Sequence, residues 1–598
     1  MAIVALDRLT VIGISRQKEA ALDGLQGLGC VHLVNLREPT KGPRELVSKE
    51  AREALRYLQS CPELRKITTA GSRYERQPLM DEILEIKGDS ERLSAERDGL
   101  ITSIEMLSPW GEFQLPETHE IDHDQFWFYV VPQRQFVEPE SEAWSVVKRD
   151  NRFAYVVVVA STPPEALAPF AVELDRRPLS QLRQRLASVD EQLDELQWRR
   201  VGLTRWRRLL RDDLNAADDK AARLAAAEGM LDDETLFALQ GWVPRVATED
   251  VKQFAQQQQL ALTVEPAGPD DSAPTLLRNP ERVAGAEGCV TFYITPGYHA
   301  WDPTTIVFFS FSLFFAMIIA DAGYGLMMAG ALACFWNKLS KTPKSRRNRN
   351  LLIGIISATI MYGAVVGSYF GVEPPPGSIL DRVRIRIDGQ PMMSNQTAMM
   401  LIAVAIGVAH LVLANVISAY QKRSSLRCLG HLGWAMIMLG AFLIGGGMFA
   451  EVEMLSTVGK IMAGFGAVFV LCFSSDRRDE GWGLKSTALR LMDGGLQFAN
   501  LSKAFGDVLS YLRLFALGLA SAQLAVTFNG LAADAMSAGG IGLLLAILIL
   551  IVGHTINFAL ALLSGVVHGL RLNCIEFFNW SLTEEGYTFQ PFRKKAES

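Results

Sequence analysis

Arg513 and Arg571 each stand inside an apolar run, the first in SYLRLFALGLASAQLAVTF (residues 510–528) and the second in VVHGLRLNCIEFF (566–578). Holding a charge at mid-bilayer costs about 2.5–3.5 kcal/mol even on the lenient insertion scale, so such residues are rare and usually functional. In the second run His554, Asn557, Ser564, His568 and Arg571, with Ala561 filling the gap, follow steps of 3, 4, 3, 4 and 3. That period lines up one helix face. A polar seam ending in a fixed cation, on an otherwise apolar helix, suits an ion path. Plainer readings exist for each residue. Arg571 is also readable as an interfacial side chain whose stem snorkels, because Asn573 and Glu576 follow it. Arg513 is readable as a boundary residue, with Lys503 and Asp507 just upstream. Histidines taken singly are more often packing residues than proton carriers. The conjunction of two such helices favours the ion path.

The elements that must hold these arginines follow from composition. A chain of 598 residues exceeds one core. Residues 1–300 are charge-rich, whereas 304–578 hold nearly all the long apolar runs. A net charge of −6 argues against a nucleic-acid partner. Seven cysteines without a C-x-x-C pair form neither a metal framework nor a disulfide scaffold, and no cofactor or metal is expected. Asp7 and Arg8 interrupt the apolar start, so it is not a signal peptide.

Residues 3–36 read as strand, helix and strand, with the helix over 18–28. A heptad runs through Ile83, Ile86, Leu93, Leu100, Ile104 and Leu107, and a second through Leu179, Leu182, Leu186, Val189, Leu193, Leu196, Leu203 and Leu210. Strand-like runs lie between the arms at 126–132 and 153–161, and after them at 236–244 and 260–266. The simplest folding is a cytoplasmic arm over 1–272. Its proximal lobe comprises 1–40 and 230–267, its coiled-coil arms about 44–108 and 176–227, and its distal lobe about 109–175. A linker over 273–303, begun by the Pro/Asp/Ser-rich stretch 267–274, leads to a transmembrane domain over 304–580, with 581–598 as a cytoplasmic tail.

Spans are expected at about 304–320, 321–337, 351–371, 398–419, 428–450, 454–473, 496–528 and 541–575. The first run is split at Asp321 because charge requires it. Lys338, Lys341, Lys344, Arg346, Arg347 and Arg349 form an acid-free loop, which belongs on the cytoplasmic side with the arm. Eight spans with both termini inside follow, at a cell membrane. Arg382, Arg384 and Arg386 in the outer loop 372–395 go mildly against this, partly offset by Glu373, Asp381 and Asp388. Gly363, Gly367 and Gly371 read as a helix-packing ridge. Asp321, His410 and Asn415 are assigned structural polar roles. The expected fold class is a multi-domain α-helical membrane protein: N-terminal cytoplasmic α+β lobes on a long antiparallel coiled-coil hairpin, then a C-terminal eight-helix transmembrane domain with two long tilted helices.

With these elements placed, the chain resembles the membrane stator subunit, called subunit a or subunit I, of rotary V-type and archaeal-type ATPases. The resemblance rests on FGDVLSYLRLFALGLASAQLA (505–525), VVHGLRLNCIEFFNWSLTEEGYTFQPF (566–592), FFAMIIADAGYGLMMA (314–329), APTLLRNP (273–280), GYHAWDPT (297–304) and LQGWVP (239–244). It implies that Arg513 and Arg571 face a rotating ring of small membrane subunits, each with an ion-carrying carboxylate, and block a direct leak between two offset half-channels. Gln523 matches a glutamine ten residues after the first arginine, and His568 a polar position three before the second. Ser521 stands where eukaryotic relatives carry histidine, and Ala561 where they carry glutamate. Ser564, Asn557 and His554 are proposed as half-channel lining on geometry. The arm would hold peripheral-stalk coiled-coil subunits, and a central-stalk cap subunit is a further implied partner, as is membrane lipid.

A secondary transporter is the first rival, but no internal repeat is visible. A structural scaffold with a coiled-coil arm is the second, and it gives no reason for two intramembrane arginines. GWGLKST (481–487) lacks the spacing of a phosphate loop, so the chain is not expected to be an enzyme on its own.

Overall fold

The computed structural model describes residues 2–37, 48–67, 74–113, 124–136, 143–387, 389–392, 395–475, 484–537, 539, 541–582 and 584–595. Parts of both lobes, of the first arm, of GWGLKST and of the tail lie outside the described residues, as does Asp388. The first half runs β1 (Leu6–Ile14), α1 (Lys18–Leu28), β2 (His32–Val34), α2 (Lys49–Gln59), α3 (Arg76–Leu107), β3 (Gln125–Pro132), β4 (Trp144–Arg149), β5 (Phe153–Ala160), β6 (Ala171–Val172), α4 (Leu179–Leu203), α5 (Arg207–Glu228), β7 (Leu231–Asp232), β8 (Leu236–Pro244), α6 (Thr248–Gln257) and β9 (Ala261–Pro266). There follow α7 (Glu287–Thr291), α8 (Thr304–Ile319), α9 (Ala322–Cys334), α10 (Trp336–Leu339), α11 (Pro343–Val366), α12 (Ile379–Val383), α13 (Gln396–Gln421), α14 (Cys428–Phe449) and α15 (Glu453–Phe473). The chain closes on α16 (Leu484–Gln497), α17 (Asn500–Ser510), α18 (Leu512–Ser537), α19 (Gly542–Arg571), a π-helical turn (Leu572–Phe577) and α20 (Phe578–Ser581).

One compact unit comprises Gly13–Gly29, Asn35–Ala238 and Phe592–Ser598. Its long helices α3 and α4 pack antiparallel, since Glu96 pairs with Arg185 at 2.6 Å and Glu82 with Arg199 at 3.4 Å. Ile86, Leu93, Leu100 and Leu107 recur every seven residues and are buried against Leu182, Val189 and Leu196. The first arm is two helices, α2 and α3, and Leu210 of the second packs in α5 against Ala54 and Leu58. Between the arms lies an antiparallel sheet in the order β4-β5-β3-β6, its inward residues including Tyr129, Val131, Val156 and Val158.

The other unit comprises Met1–Ile12, Cys30–Val34 and Leu239–Pro591. Its sheet has the order β2-β8-β1-β9, and β1 pairs antiparallel with β9. The stretch read as a linker is structured here. Asp271 accepts from Arg8 at 3.0 Å and from the Gly268 amide at 2.8 Å, and Ala273 is buried with Leu6, Trp242 and Phe589. The sheet's strands therefore belong to the same unit as the apolar helices, a grouping that depends on contacts hundreds of residues apart in sequence.

Six helical stretches among the described residues are long and apolar enough to cross a membrane, and α8 and α9 are shorter apolar helices. Between those two, Ala320 takes the left-handed conformation (φ 49°) and Asp321 caps α9. Asp321 Oδ1 accepts from the amides of Tyr324 (3.0 Å) and Phe370 (2.9 Å), and Oδ2 from Ser368 Oγ (2.6 Å) and the Gly371 amide (2.9 Å). Gly354 of α11 meets Phe308, Ile360 meets Gly325, and Gly363 meets Ala322. Helix α8 thus runs parallel to α11, and α9 returns antiparallel to it. A Cβ on Gly363 would fall 2.2 Å from the Ala322 nitrogen, so only glycine permits this approach. Gly367 is not part of a packing ridge. It ends α11 at φ 81°, and Gly371 lies beyond at φ 72°.

Leu182 is fully buried between α3 and α4. Leu182→Ala is expected to destabilise the arm by about 2–5 kcal/mol, as for other buried leucines. Hydrogen exchange of the full chain should rise in α3 and α4, whereas Arg185→Ala on the exposed flank should leave it unchanged.

Candidate ion path

Helices α18 and α19 pair antiparallel. Gly553 seats the Phe528 ring, Asn557 meets Ser521, and both arginines fall at the opposite end. The buried face of α19 is a ladder of small residues, Gly553, Ala561, Gly565 and Gly569, interrupted by Asn557. Phe315 fills the notch at Gly565 and Phe311 that at Gly569, so α8 packs there too. Small residues let helix backbones approach closely, which is how apolar-phase helices associate.

Arg513 and Arg571 converge on one acid. Glu576 Oε1 lies 3.5 Å from Arg513 Nη2 and 3.8 Å from Arg571 Nε. The carboxylate side chain is 3% exposed, whereas Arg513 is 23% and Arg571 51% exposed. Glu576 Oε2 is buried with no hydrogen-bond partner among the described residues. The π-helical turn produces this meeting. In an α-helix, residues five apart point about 140° from one another. A π-turn instead closes i to i+5, so Glu576 returns to the Arg571 side. The turn is held by Asn573, whose amide donates to the Gly569 carbonyl at 3.0 Å and whose oxygen accepts from Ser310 Oγ.

Arg513 follows a fixed joint. Tyr511, between α17 and α18, is fully buried and hydrogen-bonds His410 Nδ1 at 2.8 Å. The His410 ring stacks on Phe577 at 4.2 Å and 7°. Gly518 lies against the Met317 carbonyl of α8. Trp580 donates to Asp507 at 2.7 Å.

A second polar group lies at the other end of the pair. His554 Nδ1 meets Tyr324 OH at 2.8 Å, and its Nε2 meets Asn529 Oδ1 at 3.0 Å. Asn557 donates to Tyr324 OH (3.0 Å) and to the Ser521 carbonyl (2.9 Å), while Ser521 Oγ donates to Asn557 Oδ1 at 3.3 Å. Asn529 in turn donates to the Phe370 carbonyl at 2.8 Å.

The seam expected on one face of α19 is therefore divided. His554 and Asn557 turn inward to Tyr324 and Ser521. Ser564 and His568 are half-buried, and Arg571 is exposed. His568 is within electrostatic reach of both guanidiniums, and its Nδ1 is buried without a partner among the described residues. Gln523 joins neither group. It lies exposed on the outward stripe Arg513, Ala516, Ala520, Gln523, Thr527 and Gly530, spaced at 3, 4, 3, 4 and 3. Asn415 donates to the Leu411 carbonyl of its own helix at 3.0 Å and contacts Met438 sulfur of α14 at 3.9 Å. Sequence patterning assigns no site role to Glu576, Tyr324, Asn529 or Tyr511. The first is hidden by the π-turn. Tyr324 and Asn529 lie 230 and 25 residues from His554. Among the described residues no group of three or more His, Cys, Asp or Glu could hold a metal ion.

No protein-family model matches the chain. V-type ATP synthase subunit I of Borreliella burgdorferi is 23% identical over 99% of this chain and 99% of its own length. A-type ATP synthase subunit I of Methanocaldococcus jannaschii is 26% identical over 77% of this chain and 69% of its own. A crystal structure described as the cytoplasmic N-terminal domain of subunit I, homolog of subunit a, of V-ATPase aligns to 43% of this chain and 99% of its own, at 18% identity. Its TM-score is 0.21, too low to speak to the fold. The motifs that surround Arg513 and Arg571 thus belong to a wider likeness: the chain is similar to subunit I of V-type ATP synthases over essentially its whole length, and to subunit I of A-type ATP synthases over most of it.

Proposed function

We propose that the chain is the stator subunit of the membrane sector of a rotary V/A-type ATPase, passing H⁺ or Na⁺ to and from a rotating ring. The observation that carries this reading is the charge count at the α18/α19 junction. Two partly exposed guanidiniums share one buried carboxylate, and Asp507 close by is offset by Lys503, which leaves one positive charge unneutralised beside apolar surface. A carboxylate on a moving partner completes the balance. The outward stripe beginning at Arg513 suits that partner, because Ala516, Ala520 and Gly530 permit close helix approach. A secondary transporter or a plain scaffold gives no use for the surplus charge.

In this reading the guanidiniums favour the ionised ring carboxylate, so it releases its ion before passing them, and no ion crosses without rotation. Arginine suits the task because it stays protonated at any physiological pH. The Ser521, His554, Asn557 and Tyr324 group lines one half-channel, and Ser564 and His568 lie on the approach to the arginines. Gln523 borders the ring. Asp321, His410 and Asn415 hold the frame. ATP is made or hydrolysed on other chains, and peripheral-stalk and central-stalk cap subunits are partners of the arm, whose α3/α4 pair is the coiled coil. Eight crossings with cytoplasmic termini are favoured by the α8/α9 reversal, because α11 then starts on the side where α9 ends.

Arg513→Ala should abolish ATP-driven ion pumping in membranes while the complex still assembles, and Arg513→Lys should not restore it. Pumping at the parental rate in Arg513→Ala would sink the reading. Arg571→Ala should be damaging but less so. Glu576→Gln should slow pumping about tenfold or more, because it removes the anion that the two guanidiniums share, with Glu576→Asp intermediate. Equal rates in all three forms would show that the acid does not hold the arginines.

A further inference from the structure

The segment between α9 and α11 carries two features that the ion path leaves unused. Directly after α9, Phe335 and Trp336 are 58% and 43% exposed. From there to Asn350 the chain contains six cations and no acid. Two of the cations fix the segment. Arg347 pairs with Glu287 of α7 at 3.0 Å, and Arg349 stacks over the Trp336 ring at 4.4 Å while donating to Ser340 Oγ at 2.7 Å. Asn350 donates to the Glu281 carbonyl at 2.9 Å, and Thr342 caps α11 through the Ser345 amide at 3.1 Å. The other four, Lys338, Lys341, Lys344 and Arg346, are exposed and form no ion pair among the described residues. Lys344 and Arg346 also stand in the first turn of α11, where a cation opposes the helix dipole.

We propose that this segment is a docking surface for anionic phospholipid headgroups at the membrane face where α9 ends and α11 begins. Charge complementarity selects an anion, and basic clusters beside a span attract acidic lipid. The exposed rings select lipid over an acidic protein surface. Indole favours the level of the headgroups, and Phe335 and Trp336 flank the same four cations where an apolar helix emerges. Phosphate oxygens would relieve the adverse charge at the start of α11, and the rings would enter the top of the acyl layer. The segment is held rigidly by Arg347, Arg349 and Asn350, so the surface exists before lipid arrives.

The test uses the full chain in detergent, with phosphatidylglycerol or phosphatidylcholine added, reading bound lipid by native mass spectrometry and the part of the tryptophan quenching by brominated lipid that Trp336→Ala removes. The unaltered chain should retain phosphatidylglycerol at least tenfold better, with binding that weakens as salt rises. A variant combining Lys338→Gln, Lys341→Gln, Lys344→Gln and Arg346→Gln should bind it roughly 1000-fold more weakly, and Trp336→Ala should lower the share of tryptophan fluorescence that brominated lipid quenches. If the fourfold variant does not insert, Lys338→Gln and Lys341→Gln singly should each flatten the salt dependence. Equal retention of both lipids, undiminished binding by the variants, or displacement by inorganic phosphate or a polyglutamate peptide at matched charge would overturn the proposal.

Discussion

The structure depends on two guanidiniums sharing one enclosed carboxylate at the end of an apolar helix pair. A buried anion without a partner costs several kcal/mol, so the enclosed carboxylate and the two guanidiniums must be brought together. Glu576 supplies that anion, and much of the surrounding packing places these three side chains. Tyr511 and His410 lock the start of α18, Gly518 sets its distance from α8, and Gly565 and Gly569 draw α19 onto Phe315 and Phe311. The π-helical turn then swings Glu576 beneath both arginines. An ordinary α-helical continuation would carry the acid to another face.

The same rule, that polar groups in an apolar phase must find partners within the protein, shapes the break between α8 and α9. Irregular backbone is tolerated at membrane depth only where its donors are satisfied. Asp321 meets this requirement with four donors, three from the α11–α13 connection (Ser368, Phe370 and Gly371) and one from the first turn of α9. Its position is therefore coupled to the loop whose Phe370 carbonyl receives Asn529. A frame residue and the His554 group thus share one support.

Much of this was legible in the sequence where a local period governs contact. The seven-residue recurrence at Ile86, Leu93, Leu100 and Leu107 names the buried edge of α3 directly, and the small residues around Asp321 mark the break between two helices. The arginines stood out because charge is rare in apolar runs. What stayed hidden has specific physical causes. The period of His554 to Arg571 is real, but a helix face is not a single environment along its length. Near Asn557 it packs against α18, and near Arg571 it opens outward. Glu576 reads as a residue of an emerging helix end when an α-helical period is carried through the π-turn. The sheet joining β1, β2, β8 and β9 with the 273–303 segment rests on pairings such as Leu6 to Tyr298, which no local pattern encodes.

The number of resident acids sets what the junction can do. With no acid, two guanidiniums 3.5 and 3.8 Å from a shared point would repel each other in a poorly screened setting, and the α18/α19 pair would open. With two acids the cluster would be neutral and complete, and an arriving carboxylate would find no charge to answer it. One acid lies between these limits. It holds the cations together and, in the proposed reading, leaves a single positive charge whose balance would come from a partner. The exposures agree with that division of labour: the acid is enclosed, and the two cations reach the surface that the partner would pass. In that reading an arriving carboxylate would gain a partner, yet it would meet guanidiniums already shared with Glu576, and so would be held less tightly than by two free arginines. Attraction with a built-in competitor is what a stationary site needs if the group it neutralises must also leave.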